Sequence, residues 1–98
     1  MIKGFQAYDL AIQLHEQCES IKAKAYVQDQ LLRASLSIVL NLAEGSGKPS
    51  SKEKRRYYSI ALGSCREVQA LLQVIKQSDA FALADRIGGM IYRLVHPK

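Results

Sequence analysis

The sequence predicts an all-α fold, one antiparallel up-down-up-down four-helix bundle, and three observations predict it. Apolar residues recur at three- and four-residue steps in four successive stretches, the period of one face of an α-helix. Short segments carrying helix stop and start residues separate those stretches, and short connections set consecutive helices side by side. Apolar residues make up 48% of the 98, yet only 7% are aromatic and none is Trp, so the core must be Leu, Ile, Val and Ala. A chain of this length buries roughly two-thirds of its extended surface and has room for one core. Residues 1–98 are therefore read as a single domain.

The first helix is expected from about Tyr8 to Ala25, with Tyr8, Ala11, Ile12, Leu14, Cys18, Ile21 and Ala25 on one face. Asp29 is a candidate N-cap for the second, about Gln30 to Glu44. That helix is apolar over most of its circumference: Leu31, Leu32, Ala34, Leu36, Ile38, Val39, Leu40, Leu42 and Ala43. At 100° per residue its polar residues Gln30, Arg33, Ser37, Asn41 and Glu44 fall within roughly 80°. So wide an apolar surface exceeds what one small bundle uses, and one flank is expected to meet a second copy of the chain.

The connection between the second and third helices is the clearest in the sequence. Gly45 follows the last apolar position, where positive φ often closes a helix, and Pro49 blocks continuation. Ser50 or Ser51 can cap the next helix, and Ser50-x-x-Glu53 has capping-box spacing. The third helix, about Lys52 to Gln77, carries Tyr57, Ala61, Cys65, Val68, Leu72 and Ile75 on its core face. Its opposite face presents Lys52, Arg55, Ser59, Arg66, Gln69 and Gln73, interrupted by Leu62 and Ala70. Gly63 inside this helix, and Gly88-Gly89 inside the fourth, are destabilising choices that close helix approach would explain. Ser78-Asp79 is expected to supply the cap of the fourth helix, which runs through Phe81, Ala84, Ile87, Ile91 and Leu94 to Val95, and Pro97 ends it.

Fourteen Lys and Arg against nine Asp and Glu give a net charge of +5, which favours an anionic partner. Cys18 and Cys65 sit within helical patterns without zinc-like spacing and read as small buried hydrophobes, as suits a reducing cytoplasm. Met1-Ile2-Lys3-Gly4-Phe5 lacks the apolar core of a targeting signal, and no apolar run approaches the roughly 20 residues of a membrane span.

Residues 30–45, QLLRASLSIVLNLAEG, followed by residues 59–67, SIALGSCRE, resemble the family of four-helix-bundle proteins encoded in intervening sequences of bacterial 23S rRNA genes. The accessory variability proteins of diversity-generating retroelements are similar too. The matching positions are Arg33, Ser37, Ile38, Asn41, Ala43, Glu44, Gly45, Gly47, Glu53, Ile60, Ala61, Gly63, Ser64 and Glu67. The chain departs from the family where Val39 replaces a frequent Pro and Ser46 a bulky residue, and its first helix lacks the usual aromatic start. The resemblance implies a bundle assembling as a homo-oligomer, typically a pentameric ring. In the retroelement branch it implies a basic protein that binds nucleic acid and associates with a reverse transcriptase.

Two residue groups are candidate sites. Lys48, Lys52, Lys54, Arg55 and Arg56 set five positive charges against Glu53 within nine residues, and Arg66 continues them about three turns on. Phosphate contacts need such charges on a rigid support, and the competing reading is a solvated helix face. The second group, Arg33, Ser37, Asn41, Glu44, Gly45, Gly63, Ser64 and Glu67, is read as a structural motif that sets helix register. An Arg33–Glu67 ion pair and an Asn41 backbone contact are expected within it, because partly buried charges need partners.

Gly45-Ser46-Gly47-Lys48 fails as a phosphate loop, since Leu42 stands where Gly and Pro49 where Ser or Thr is required. His15, Cys18 and Glu19 share one side of the first helix, but three ligands from one helix make a poor metal site. Cys65 has no identifiable base, and Ser64 lies inside a helix. The expectation is a non-enzymatic cytoplasmic protein without cofactor or metal. It would self-associate and bind RNA or DNA; the alternative is an oligomeric scaffold that meets other proteins only.

Overall fold

A computed structural model describes Ile2 and residues 4–97. Met1 and Lys3, part of the stretch read for a targeting signal, and Lys98 lie outside the described residues. Four helices follow one another: α1 Gln6–Ser20, α2 Ala25–Ser46, α3 Ser51–Val74 and α4 Ser78–Val95. Each of α1 and α3 packs against both α2 and α4, while among the described residues the backbones of α1 and α3, and of α2 and α4, do not come within 8 Å Cα to Cα. The molecule measures 40 × 26 × 21 Å, its long axis matching the roughly 36 Å of a 24-residue helix. Among the described residues no helix is long and apolar enough to cross a membrane.

Helix α1 ends five residues before the predicted boundary without glycine or proline. Ile21 turns extended, and its N–H donates to the Cys18 carbonyl, which also accepts from the Gln28 side chain at 3.2 Å. A residue of the next helix thus satisfies an end carbonyl that would otherwise invite continuation. Because α2 already begins at Ala25, Asp29 lies inside it, and the cap position is Lys24.

Gly45 does not take positive φ. Helix α2 runs on to Ser46 and closes with Gly47 at φ −90, where Gly47 N–H reaches the Glu44 carbonyl and Lys48 N–H the Gly45 carbonyl. Such three-residue bonds tighten a last turn. Gly45 is needed for space: a Cβ there would stand 2.7 Å from Tyr58 Cε1 and 3.2 Å from Tyr57 Cβ. Helix α3 starts as read, with Ser50 Oγ accepting from the Glu53 N–H at 3.2 Å. It stops early, at Val74, because Lys76 adopts φ 59 and lets Gln77 N–H reach back to the Leu72 carbonyl. This Schellman closure normally uses glycine, and a lysine in its place left no sign in the sequence.

Leu14, Leu31, Ile38, Leu42, Val68, Leu72, Ile87 and Ile91 are fully buried, together with Cys18 and Cys65. The α3 faces need three corrections. Tyr58 is in the core, whereas Tyr57 is half-buried beside Lys48. Gln69 is buried between α3 and α4, its amide donating to Asp85 at 3.1 Å and accepting from Arg66 at 2.7 Å. Gly63 is exposed with no atom within 4 Å of a Cβ built on it, so no helix of this chain approaches it.

Candidate nucleic-acid interface

The six predicted phosphate-binding cations divide into those the fold already uses and those it leaves free. Lys48 forms the one ion pair among the described residues, to Glu44 at 3.0 Å, and lies 5.0 Å from the centre of the Tyr57 ring. Its hydrogen bond to the Glu44 carboxylate raises its pKa above the ordinary lysine value, so it stays charged. Lys54 donates to the Ser46 carbonyl at 3.0 Å and the Gly45 carbonyl at 3.5 Å, capping the α2 C-terminus. Arg56 also lies over the Tyr57 ring, 5.8 Å from its centre. Arg66 bends across to Gln69, and its Nη1 lies 2.8 Å from where a Cβ on Gly88 would be. Gly88 leaves the room in which this guanidinium rests on α4, and a Cβ there would push the end of the Arg66 side chain aside.

Lys52 and Arg55 remain exposed, with no salt bridge or side-chain hydrogen bond among the described residues. At 100° per residue they share with Arg66 a sector of α3 about 60° wide. The charged face is therefore narrower than the run of basic letters suggests. Its free members are Lys52 and Arg55, with the exposed Arg66 held at the α4 edge.

The second residue group meets at the α2–α3 seam. Ser37 Oγ and Ser64 Oγ are 2.8 Å apart, and the Asn41 amide donates to Ser37 Oγ at 3.1 Å and to the Ser37 carbonyl at 2.9 Å. Three motif side chains thus form one connected network across two helices. The expected Arg33–Glu67 ion pair does not form. Both residues are exposed and neither has an ion-pair partner among the described residues, and an exposed pair contributes little to stability. Hydroxyls bridge the helices because both serines are only half-buried and can approach closely, which two long charged side chains at the rim need not do.

The family model of the 23S rRNA-intervening sequence proteins matches residues 5–87. The chain belongs to that family. No curated protein and no solved structure matches it. The two segments that resemble the family contribute Ser37, Asn41, Gly45 and Ser64 to the α2–α3 contact just described. For this intervening-sequence protein they are joints of the fold, and none of them converges on a reactive group.

His15 is engaged rather than free. Ser35 Oγ lies 2.8 Å from His15 Nδ1 and 3.2 Å from the Leu32 carbonyl, and the imidazole tautomer sets which of these two contacts receives the hydroxyl proton. Burial pushes the Cys18 and Cys65 thiols up to about 11, and the Cys65 thiol reaches the Ala84 carbonyl at 3.2 Å. Neither is a thiolate near neutral pH. Two features escaped sequence reasoning. Lys54 caps a helix that precedes it, which only the folded hairpin reveals. Tyr92 is 51% exposed, its ring 4.5 Å from that of His96; their four-residue spacing on α4 was the available signal.

Proposed function

We propose that this intervening-sequence protein is a non-enzymatic, basic accessory protein that self-associates and holds RNA or DNA through phosphate contacts on α3. The observation that carries the reading is the free, exposed pair Lys52 and Arg55 on the same sector as Arg66, in a chain of net charge +5. One such face binds weakly. Several copies held together multiply it through effective concentration, and the affinity falls steeply with salt.

Self-association is supported by apolar surface that one protomer leaves open. Leu36 is 42% and Leu40 57% exposed, on the side of α2 turned away from Gly45 and Tyr58. Ile60 is 45% and Val74 74% exposed, along α3 beside Ser64. Leu40 and Ile60 flank the Ser37–Ser64 contact, so the open apolar surface follows the α2–α3 seam, and a head-to-tail contact through it forms a ring where its rotation closes. The pentamer known for similar proteins is the ring proposed. The antiparallel up-down-up-down path belongs to the same proposal: Gly45 meets Tyr58 and, eight residues earlier, Ser37 meets Ser64 six residues later. A cytoplasmic location enters through the two free cysteines, which suit a reducing compartment, and a reverse transcriptase as protein partner through the resemblance to retroelement accessory proteins.

Replacing Lys52, Arg55 and Arg66 together by Glu is expected to abolish retention of nucleic acid on a filter at low salt while the oligomer persists. Unchanged retention rejects the face. The exposed Leu36, Leu40, Ile60 and Val74 also favour a second reading, an oligomeric scaffold that binds proteins alone. A filter-binding titration at two salt concentrations separates them, since the scaffold retains nucleic acid at neither.

A further inference from the structure

We infer that the nucleic acid is single-stranded, because the Tyr92–His96 ring pair forms a stacking platform for unpaired bases beside the α3 cations. The inference rests on the nucleic-acid reading and adds the class of strand. Tyr92 and His96 are both exposed, their ring centres 4.5 Å apart and their planes inclined at 44°. Gly88 and Tyr92 are four residues apart on one strip of α4, and His96, the residue that caps its end, donates its backbone N–H to the Tyr92 carbonyl at 2.9 Å. The Arg66 guanidinium rests on that strip at Gly88.

Next to it Gly89 lies open, the nearest atom to a Cβ there being Arg93 Nη1 at 3.9 Å. Adjacent glycines inside a helix are destabilising, and packing within the protomer accounts for Gly88 alone. Gly88 is buried under the Arg66 guanidinium, so the part of this strip without a side chain over it is at half-buried Gly89, beside that guanidinium. Gln69 bonds Asp85 while Arg66 reaches Gly88, so a step back along α3 matches a step forward along α4. The next turns therefore bring the α4 rings toward the part of α3 that carries Arg55 and Lys52. Asp85, on the same side of α4 and bonded to Gln69, repels phosphate and keeps the backbone toward α3.

Aromatic faces stack on any base, but only where the base is not already stacked within a duplex. A double helix could meet the cations and would gain nothing from the rings. Tyr92 and His96 also lie beyond residues 5–87, so the platform is a property of this chain rather than of the matched family segment.

Fluorescence anisotropy of the full chain at low salt tests this, with labelled oligo-dT, oligo-U and a mixed-sequence duplex of equal length as probes. Wild type is expected to bind one or both single strands severalfold more tightly than the duplex, and the two single strands tell DNA from RNA. Tyr92→Ala is expected to weaken single-strand binding roughly five- to a hundredfold and to remove the preference, while Tyr92→Phe keeps both. His96→Ala, at the helix end, serves in its place if circular dichroism shows lost helicity. No preference in wild type, or an unaltered preference in Tyr92→Ala, overturns the platform. If glutamates at Lys52 and Arg55 abolish binding of every probe while Tyr92→Ala changes nothing, the charged face stands and the platform falls. If wild type binds no probe, both fall.

Discussion

Gly45 and Gly63 are both glycines within long helices, and their surroundings assign them different consequences. A methyl at Gly45 enters the space of the Tyr58 ring, which the core holds in place. Gly45→Ala is therefore expected to destabilise the chain by about 1–3 kcal/mol, the range for overpacking a core. In Gly63→Ala the methyl meets nothing, and the gain in helix propensity is expected to stabilise the protomer by about 0.4–1 kcal/mol. Urea unfolding, at a concentration low enough to dissociate assemblies, measures both. In sequence the two positions look alike, since what distinguishes them is a ring twelve or more residues away. Burial likewise raises the Cys18 and Cys65 pKa values from 9.0 to about 11. Between those values the unfolded thiols ionise while the folded ones keep their protons, so stability is full below pH 9 and falls as pH rises toward 11. A urea midpoint that is flat or rising over that window contradicts the buried thiols, as does fast labelling of the native cysteines by a thiol reagent near pH 8.

At the scale of elements, the α2–α3 hairpin has caps on both sides. Ser50 closes the start of α3, and Lys54, one turn in, closes the end of α2. Ser50→Ala is expected to cost about 1 kcal/mol, and Lys54→Met, which keeps the apolar stem, is expected to cost less; thermal or urea unfolding reads both. Of these caps only Ser50 was legible, because its bond is local and has a spacing, whereas the Lys54 bond exists only after the hairpin closes. The same distinction explains the misplaced ends. Gln28 terminates α1 from the next helix, and Lys76 ends α3 in a conformation usually reserved for glycine. Period alone located four helices and put Leu14, Val68, Leu72 and Ile87 inside, but in α2 it did not divide the buried Ile38 and Leu42 from the exposed Leu36 and Leu40. Within α3 it misassigned Tyr57 and Gln69, since neighbouring residues 100° apart lie at the rim of the same face.

For the whole molecule, the central claim is that α2 and α3 carry more apolar surface than one protomer covers. The excess was legible in the nearly all-apolar circumference of α2, and its location became visible at Leu36, Leu40, Ile60 and Val74. The basic face was legible as a run of letters but not as an inventory of free charge, because pairing of Lys48 and capping by Lys54 depend on the folded hairpin. Replacing Leu36 and Leu40 by Glu is expected to leave a folded protomer that no longer associates, seen as helical circular dichroism with a reduced mass by light scattering. That variant should also lose most nucleic-acid retention while its α3 charges are intact, because multivalency is what raises the affinity. The most direct test is sedimentation velocity of the purified wild-type chain across a range of concentrations. A discrete species several times heavier than the 10.9 kDa protomer is expected; a well-folded monomer persisting at high concentration would contradict the account.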